Sequence, residues 1–246
     1  MKTFNSKDNC IVFVTHKMDA EIVDYLHYLK GKADGIMDLL VLYDYSTCPI
    51  KKEEYPDFNF HLFDSCHMTG FFHREEKCLP NPLVALHECV MKHEYKHYLV
   101  MENDIILKGD FRRFLEKVNQ ESRTDYIHIA SDVEGCIEKH WPIRSITDSP
   151  FEHLYFSWSQ LFYVSRSFLD ELHKFMQSND SFYYEFLLPT LAYNDRRFVV
   201  RQFENYGYQF QLSWGPTELY EYKYRQERME NTFYHPIKNL SIVDFL

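Results

Sequence analysis

The chain has 246 residues, 45% of them hydrophobic, which suits a large α/β domain and excludes a disordered chain. Its formal net charge of −10 argues against the basic footprint of non-specific nucleic-acid binding. A local anion site built from a few cations, a helix N-terminus or a metal remains open.

Six cysteines, at 10, 48, 66, 78, 89 and 136, form no C-x-x-C pair, and no signal peptide is visible. They read as reduced thiols of a cytoplasmic protein. No run approaches the ~18–20 apolar residues of a membrane span. The apolar tail "NLSIVDFL" reads first as a packed C-terminal segment, with attachment to the inner face of a membrane left open. The 19 Tyr, 21 Phe and 3 Trp suit stacking pockets, although most aromatic residues fill cores.

"CIVFVTH" (10–16) is a β-branched and aromatic run that predicts a buried strand. "MDAEIVDYLHYLKG" has helical spacing at Ile22, Leu26 and Leu29, with Gly31 as the expected C-cap. "DLLVLYDYS" (38–46) and "FNFHLFD" (58–64) read as two further strands. "NPLVALHECVMKH" (81–93) predicts a helix with Asn81 as cap and Pro82 at its first position. "HYLVM" is then a strand, "GDFRRFLEKVN" a helix and "DYIHIAS" (125–131) a strand. Residues 132–156 lack periodicity and read as a long functional loop region. "QLFYVS" (160–165) returns to strand. "SRSFLDELHKFMQ" opens a helix on Ser167-x-x-Asp170, a capping pattern. "DSFYYEFLLPTLAYN" (180–194) is a helix that its proline kinks or divides, and the last fifty residues read as aromatic and irregular. Alternating strands and helices imply a mainly parallel central sheet flanked by helices, a Rossmann-like α/β fold.

Common site types are missing. The seven glycines, at 31, 35, 70, 109, 135, 207 and 215, build neither G-x-G-x-x-G nor a P-loop. His87 and His93 lack the H-E-x-x-H spacing, and there is no G-x-S-x-G elbow. Attention falls instead on "HYLVMENDIILKGDF", where Glu102 and Asp104 stand in an apolar segment. Buried charges need a partner, a hydrogen bond or a metal. Residues two apart in an extended segment face one side, so both acids can face the crevice at the carboxyl end of their strand. Two clustered oxygen ligands suit Mg²⁺ or Mn²⁺. A polar turn in which Asp104 bonds the backbone is the alternative.

The sequence resembles the GT-A class of nucleotide-sugar-dependent glycosyltransferases, in particular small bacterial enzymes of surface-polysaccharide or lipopolysaccharide synthesis. The resemblance rests on the order of "IVFVTHK", "LLVLYDYS", "YKHYLVMENDIILKGDF", "WSQLFYVSR", "YYEFLLPTLA" and "FYHPIK", from near residue 10 to near 238. It implies one glycosyltransferase domain over 1–246, with a nucleotide-binding half (1–131) and an acceptor-binding half (132–246). It implies a metal, Mn²⁺ or Mg²⁺, held by Asp104, Glu102 and His235. The middle of the triplet, often acidic in the family, is Asn103 here.

The resemblance also implies nucleotide contacts from Thr15, His16, Asp44, Arg74 and Lys238. The corresponding plain roles are strand-end caps, a surface salt bridge for Arg74 and a surface lysine. Trp158, Ser159 and Gln160 are expected at the sugar, with Trp158 as core filler the alternative. Glu185, alone among aromatics, is the candidate base for an inverting transfer, because an apolar setting raises a carboxyl's pKa, with a solvent-facing helix glutamate the alternative. Asp132 and Glu134 are reserve candidates, and Asp132 also falls on the acceptor side. The expected partners are a nucleotide-sugar donor and a saccharide or lipid-linked saccharide acceptor, with no nucleic acid. The oligomeric state is not legible. Rival readings are a sugar-1-phosphate nucleotidyltransferase and a non-catalytic carbohydrate-binding relative.

Overall fold

A computed structural model describes residues 8–46, 48–65, 73–74, 77–78, 82–130, 149–178, 184–213 and 215–245, with backbone only for 73–74, 77–78, 82 and 84. The chain runs β1 (Asn9–Thr15), α1 (Ala20–Ala33), β2 (Asp38–Asp44), β3 (Asn59–Phe63), the hairpin β4 (His73–Arg74) and β5 (Lys77–Cys78), then α2 (Pro82–Met91) and β6 (His97–Glu102). It continues with β7 (Ile106–Lys108), α3 (Phe111–Asn119), β8 (Tyr126–His128), β9 (Leu161–Ser165), α4 (Arg166–Met176), α5 (Tyr184–Asn194), β10 (Val200–Gln202), β11 (Gln209–Leu212), α6 (Thr217–Gln226) and β12 (Thr232–His235).

The main sheet has the order β10-β8-β9-β6-β1-β2-β3. Its pairings are parallel except those of β9, which runs against both β6 and β8. Both faces are covered, which explains why the central strands read as continuous apolar runs. Successive side chains of β1 go to opposite sides. Ile11 and Phe13 join a core closed by α1 and α3, whereas Cys10 and Val12 join one closed by α2, α4 and α5. The fold is thus a mixed α/β sandwich around a mostly parallel sheet. Among the described residues, no helix is long and apolar enough to cross a membrane.

Several local expectations change. Gly31 does not cap α1. The helix continues to Ala33, which is buried, and the Asp34 N–H closes it on the Gly31 carbonyl at 3.4 Å. The left-handed residue comes later, at Gly35 (φ 78°). The cap of α4 is Ser165 rather than Ser167, because β9 runs directly into the helix, and Ser165 Oγ accepts the Phe168 N–H at 3.1 Å.

Pro189 neither divides nor ends α5. A proline lacks the N–H that would bond the carbonyl four residues earlier, here that of Glu185. The Ser157 N–H fills that vacancy at 3.0 Å, so the loss within the helix becomes a tie to the strand-entry segment before β9. The last fifty residues are not irregular throughout. Residues 209–235 form β11, α6 and β12, and a second sheet has the order β11-β12-β7. The expected loop at 132–156 lies mostly outside the described residues, as does Asn81.

Candidate functional site

Because β1, β2 and β6 run parallel, their last residues, Thr15, Asp44 and Glu102, lie along one edge of the sheet. The antiparallel β9 starts at that same edge, which brings Trp158–Gln160 there; the Glu102 N–H donates to the Gln160 carbonyl at 2.9 Å. The sequence that follows Glu102 crosses from the main sheet to the small one. Asn103 and Asp104 make the crossing, and Ile106 starts β7. The Tyr25 hydroxyl pins the turn by donating to the Ile105 carbonyl at 2.9 Å.

The small sheet delivers the third member of the cluster. β12 pairs antiparallel with β7, Tyr234 opposite Ile106, and the Ile237 N–H donates to the Asp104 carbonyl at 2.9 Å. His235, more than a hundred residues away in sequence, therefore faces the acidic turn. Its Nε2 lies 3.3 Å from Asp104 Oδ1 and 3.6 Å from Glu102 Oε2. Its Nδ1 lies 3.0 Å from the Ser213 carbonyl, presented by β11 beside β12. A carbonyl only accepts, so Nδ1 carries the hydrogen and Nε2 is turned toward the carboxylates. One ligand atom from each of Glu102, Asp104 and His235 lies within 4.8 Å of the others. Asp104 and His235 are buried, 4% and 6% exposed. Lys238 closes the other side, its ammonium against Asp104 Oδ2.

The two acids respond oppositely to this setting. Burial would raise Asp104, but the hydrogen bond from His235 and the charges of His235 and Lys238 hold it down at about 2. Glu102, half-buried, is pushed up, first by the burial it has and then by the neighbouring Asp104 charge. Burial alone would lower His235, yet its hydrogen bond to Asp104 and the charges of Asp104 and Glu102 together outweigh burial and raise it. The charges in the apolar segment are therefore paired across two sheets, which answers the cost of burying them.

Glu185 lies next to this cluster. Oε1 accepts from Gln160 Nε2 at 3.1 Å, and the neighbouring Tyr184 hydroxyl donates to Glu102 Oε1 at 3.3 Å. Glu185 is fully buried, and burial followed by the Glu102 charge raises it to about 8. Gln160 and Ser159 are buried as well. Trp158 lines an open cavity of about 540 Å³ with Ala130, Glu204, Tyr208, Phe210 and Leu212. Leu212 sits opposite His235 in the small sheet, although Glu102, Asp104 and His235 themselves do not line the cavity.

Other expected residues meet the edge through local bonds. Thr15 Oγ1 donates to the Lys17 carbonyl at 3.0 Å, which caps the strand end. His16 is exposed. Asp44 Oδ1 accepts the N–H groups of Ser46 and Ser65 at 3.0 and 3.2 Å, and burial, which would raise its pKa, is outweighed by the side-chain and main-chain bonds from Ser65 and Ser46 taken together. Arg74 is in β4 with its side chain outside the described residues, and Asp132 and Glu134 are outside them altogether.

The sequence reading missed Ser213, which acts through its carbonyl, and Tyr184, one tyrosine among 19. It also missed Glu221, whose Oε1 accepts the main-chain N–H of Lys238 at 3.1 Å. None has a side-chain pattern that marks it in advance.

No protein-family model and no curated protein sequence matches the chain. Among solved structures it is similar to the glycosyltransferase GlyE of Streptococcus pneumoniae TIGR4, with TM-score 0.44 and 11% identity over 83% of this chain and 47% of that one. The chain thus spans about half the length of that protein. It is also similar to 4-diphosphocytidyl-2C-methyl-D-erythritol synthase of Anaerococcus prevotii, with TM-score 0.45 and 8% identity over 80% and 86% of the two chains. A cytidylyltransferase of Leptospira borgpetersenii is similar at TM-score 0.43 and 9% identity, over 80% and 75%.

Proposed function

We propose that the protein is a glycosyltransferase that moves a sugar from a nucleotide-sugar donor to a saccharide or lipid-linked saccharide acceptor of surface-polysaccharide synthesis. The observation that carries the reading is the Glu102–Asp104–His235 cluster, with Asp104 and His235 buried and Glu102 half-buried, at the carboxyl edge of a central parallel strand, with its imidazole tautomer set by Ser213. Two carboxylates and one imidazole fit a divalent cation; the oxygen donors suit Mg²⁺ or Mn²⁺, and the nitrogen favours Mn²⁺ of the two. A cation bound there would act as a Lewis acid on the departing nucleoside diphosphate.

The chain's own residues supply the remaining roles in this reading. Thr15, His16 and Asp44, on adjacent strand ends, take the nucleoside, and Arg74 and Lys238 meet phosphate oxygens. Trp158 offers a ring face to a sugar, and Ser159 and Gln160 orient it, with Asp132 on the acceptor side. Glu185 accepts the proton of the acceptor hydroxyl if the transfer inverts the anomeric centre. A carboxyl raised to about 8 takes up the proton strongly once ionised, so in this reading the activity rises with pH toward about 8 as the ionised fraction grows. Its complete burial requires the acceptor to displace the chain around it.

Calorimetry with UDP, GDP, CMP and CTP, with and without Mn²⁺, tests the reading. The expected result is a nucleoside diphosphate that binds with Mn²⁺ and is lost in Asp104→Asn. A nucleoside triphosphate bound in preference to every diphosphate would identify a sugar-1-phosphate nucleotidyltransferase instead. Failure to bind any nucleotide would leave a non-catalytic carbohydrate-binding protein.

A further inference from the structure

Asp104 is shared between two basic side chains. His235 Nε2 approaches Oδ1 at 3.3 Å, and the Lys238 ammonium rests on Oδ2. The carboxylate is buried, whereas the Lys238 side chain is 56% exposed. The lysine backbone is held independently, because the main-chain N–H groups of Lys238 and Asn239 both donate to Glu221 Oε1, at 3.1 and 2.8 Å. The ammonium therefore reaches inward from a fixed point on a flexible four-carbon stem, with solvent open beside it. A divalent cation taken up by Asp104 would meet this positive charge on the same carboxylate, and like charges a few ångströms apart repel strongly away from bulk water.

We propose that Lys238 is the built-in counter-ion of Asp104, that an arriving divalent cation displaces its ammonium, and that the displaced ammonium becomes the group that meets the diphosphate. The inference rests on the metal-assisted reading above. It makes cation and diphosphate bind with positive coupling, since the first frees a contact for the second. It also gives the metal-free protein a way to keep a buried carboxylate paired.

The test uses the full chain and needs no turnover. Mn²⁺ alone is titrated calorimetrically into the wild type, Lys238→Met and Lys238→Arg, with thermal melts to establish folding. Lys238→Met is expected to bind Mn²⁺ about tenfold more tightly, the scale of one partly exposed charge removed from the site. Lys238→Arg keeps the charge and is expected within about twofold of the wild type. Inorganic pyrophosphate is then titrated with and without saturating Mn²⁺. The wild type is expected to gain affinity with Mn²⁺, and Lys238→Met to gain about fivefold less. Should Lys238→Met fail to fold, Lys238→Gln, which is neutral and retains a hydrogen-bond donor, takes its place with the same expectations. Mn²⁺ affinity in the neutral variant equal to or weaker than that of the wild type would overturn the counter-ion proposal while leaving the metal site standing. Absence of Mn²⁺ binding in every variant would overturn the metal site itself.

Discussion

Glu185→Gln isolates the energetic consequence of a buried carboxyl beside an acidic cluster. Glu185 is fully buried, and burial and the Glu102 charge raise its pKa from 4.5 to about 8. A raised acid binds its proton more tightly in the folded state. Its contribution is therefore fully present below the unfolded pKa of 4.5 and is lost as pH rises through about 8. Within that window the slope is about 1.4 kcal/mol per pH unit. Between pH 5 and 7 the wild type should lose about 2–3 kcal/mol relative to Glu185→Gln, whose neutral amide retains an acceptor for Gln160 Nε2. Urea unfolding of both proteins at pH 5, 6, 7 and 8, with a chelator present, measures the difference directly. Ionisations shared by the two proteins largely cancel in it. Parallel stability curves, or a wild type that gains on the variant as pH rises, would refute the placement of Glu185 as a buried, proton-holding group.

Further outcomes follow from particular contacts. Asp104→Asn should weaken Mn²⁺ binding by more than the ~10–100-fold typical of a lost supporting residue, measured by calorimetry. Asp19 caps α1 by accepting the Ile22 N–H at 3.0 Å, so Asp19→Ala should cost about 1 kcal/mol in denaturant unfolding. Gly109 has φ 151°, and a Cβ there would lie 3.0 Å from the Asn231 nitrogen. Gly109→Ala should therefore destabilise by about 1–3 kcal/mol, and an unchanged unfolding midpoint would contradict the close approach of β7 and β12.

Much of the fold was legible because burial on both faces leaves a simple trace. "CIVFVTH", "DLLVLYDYS" and "HYLVM" became β1, β2 and β6 within a residue or two, and they are adjacent parallel strands. Helix ends were less legible. Gly31 offered a stop signal that the packing of Ala33 overrode, and Ser167 offered a cap that Ser165 already supplied. Pro189 looked like a breaker because its lost hydrogen bond is local, while the bond that replaces it comes from Ser157, 28 residues before Glu185. The C-terminal region looked irregular because its short strands pair with β7 in a separate sheet, a partnership that no local pattern records.

The sequence by itself determined that two acids follow a buried strand in an apolar segment, and that their charge needed a partner. The candidates His235 and Lys238, in "YHPIK", came from the family resemblance. Only the tertiary structure decided which partners act together. The antiparallel pairing of β12 with β7 brings His235 onto Asp104, β11 sets its tautomer through Ser213, and Lys238 takes the remaining carboxylate oxygen. The reason is physical: strand composition follows from burial, which each segment records in its own residues. A charge cluster depends on register between segments more than a hundred residues apart.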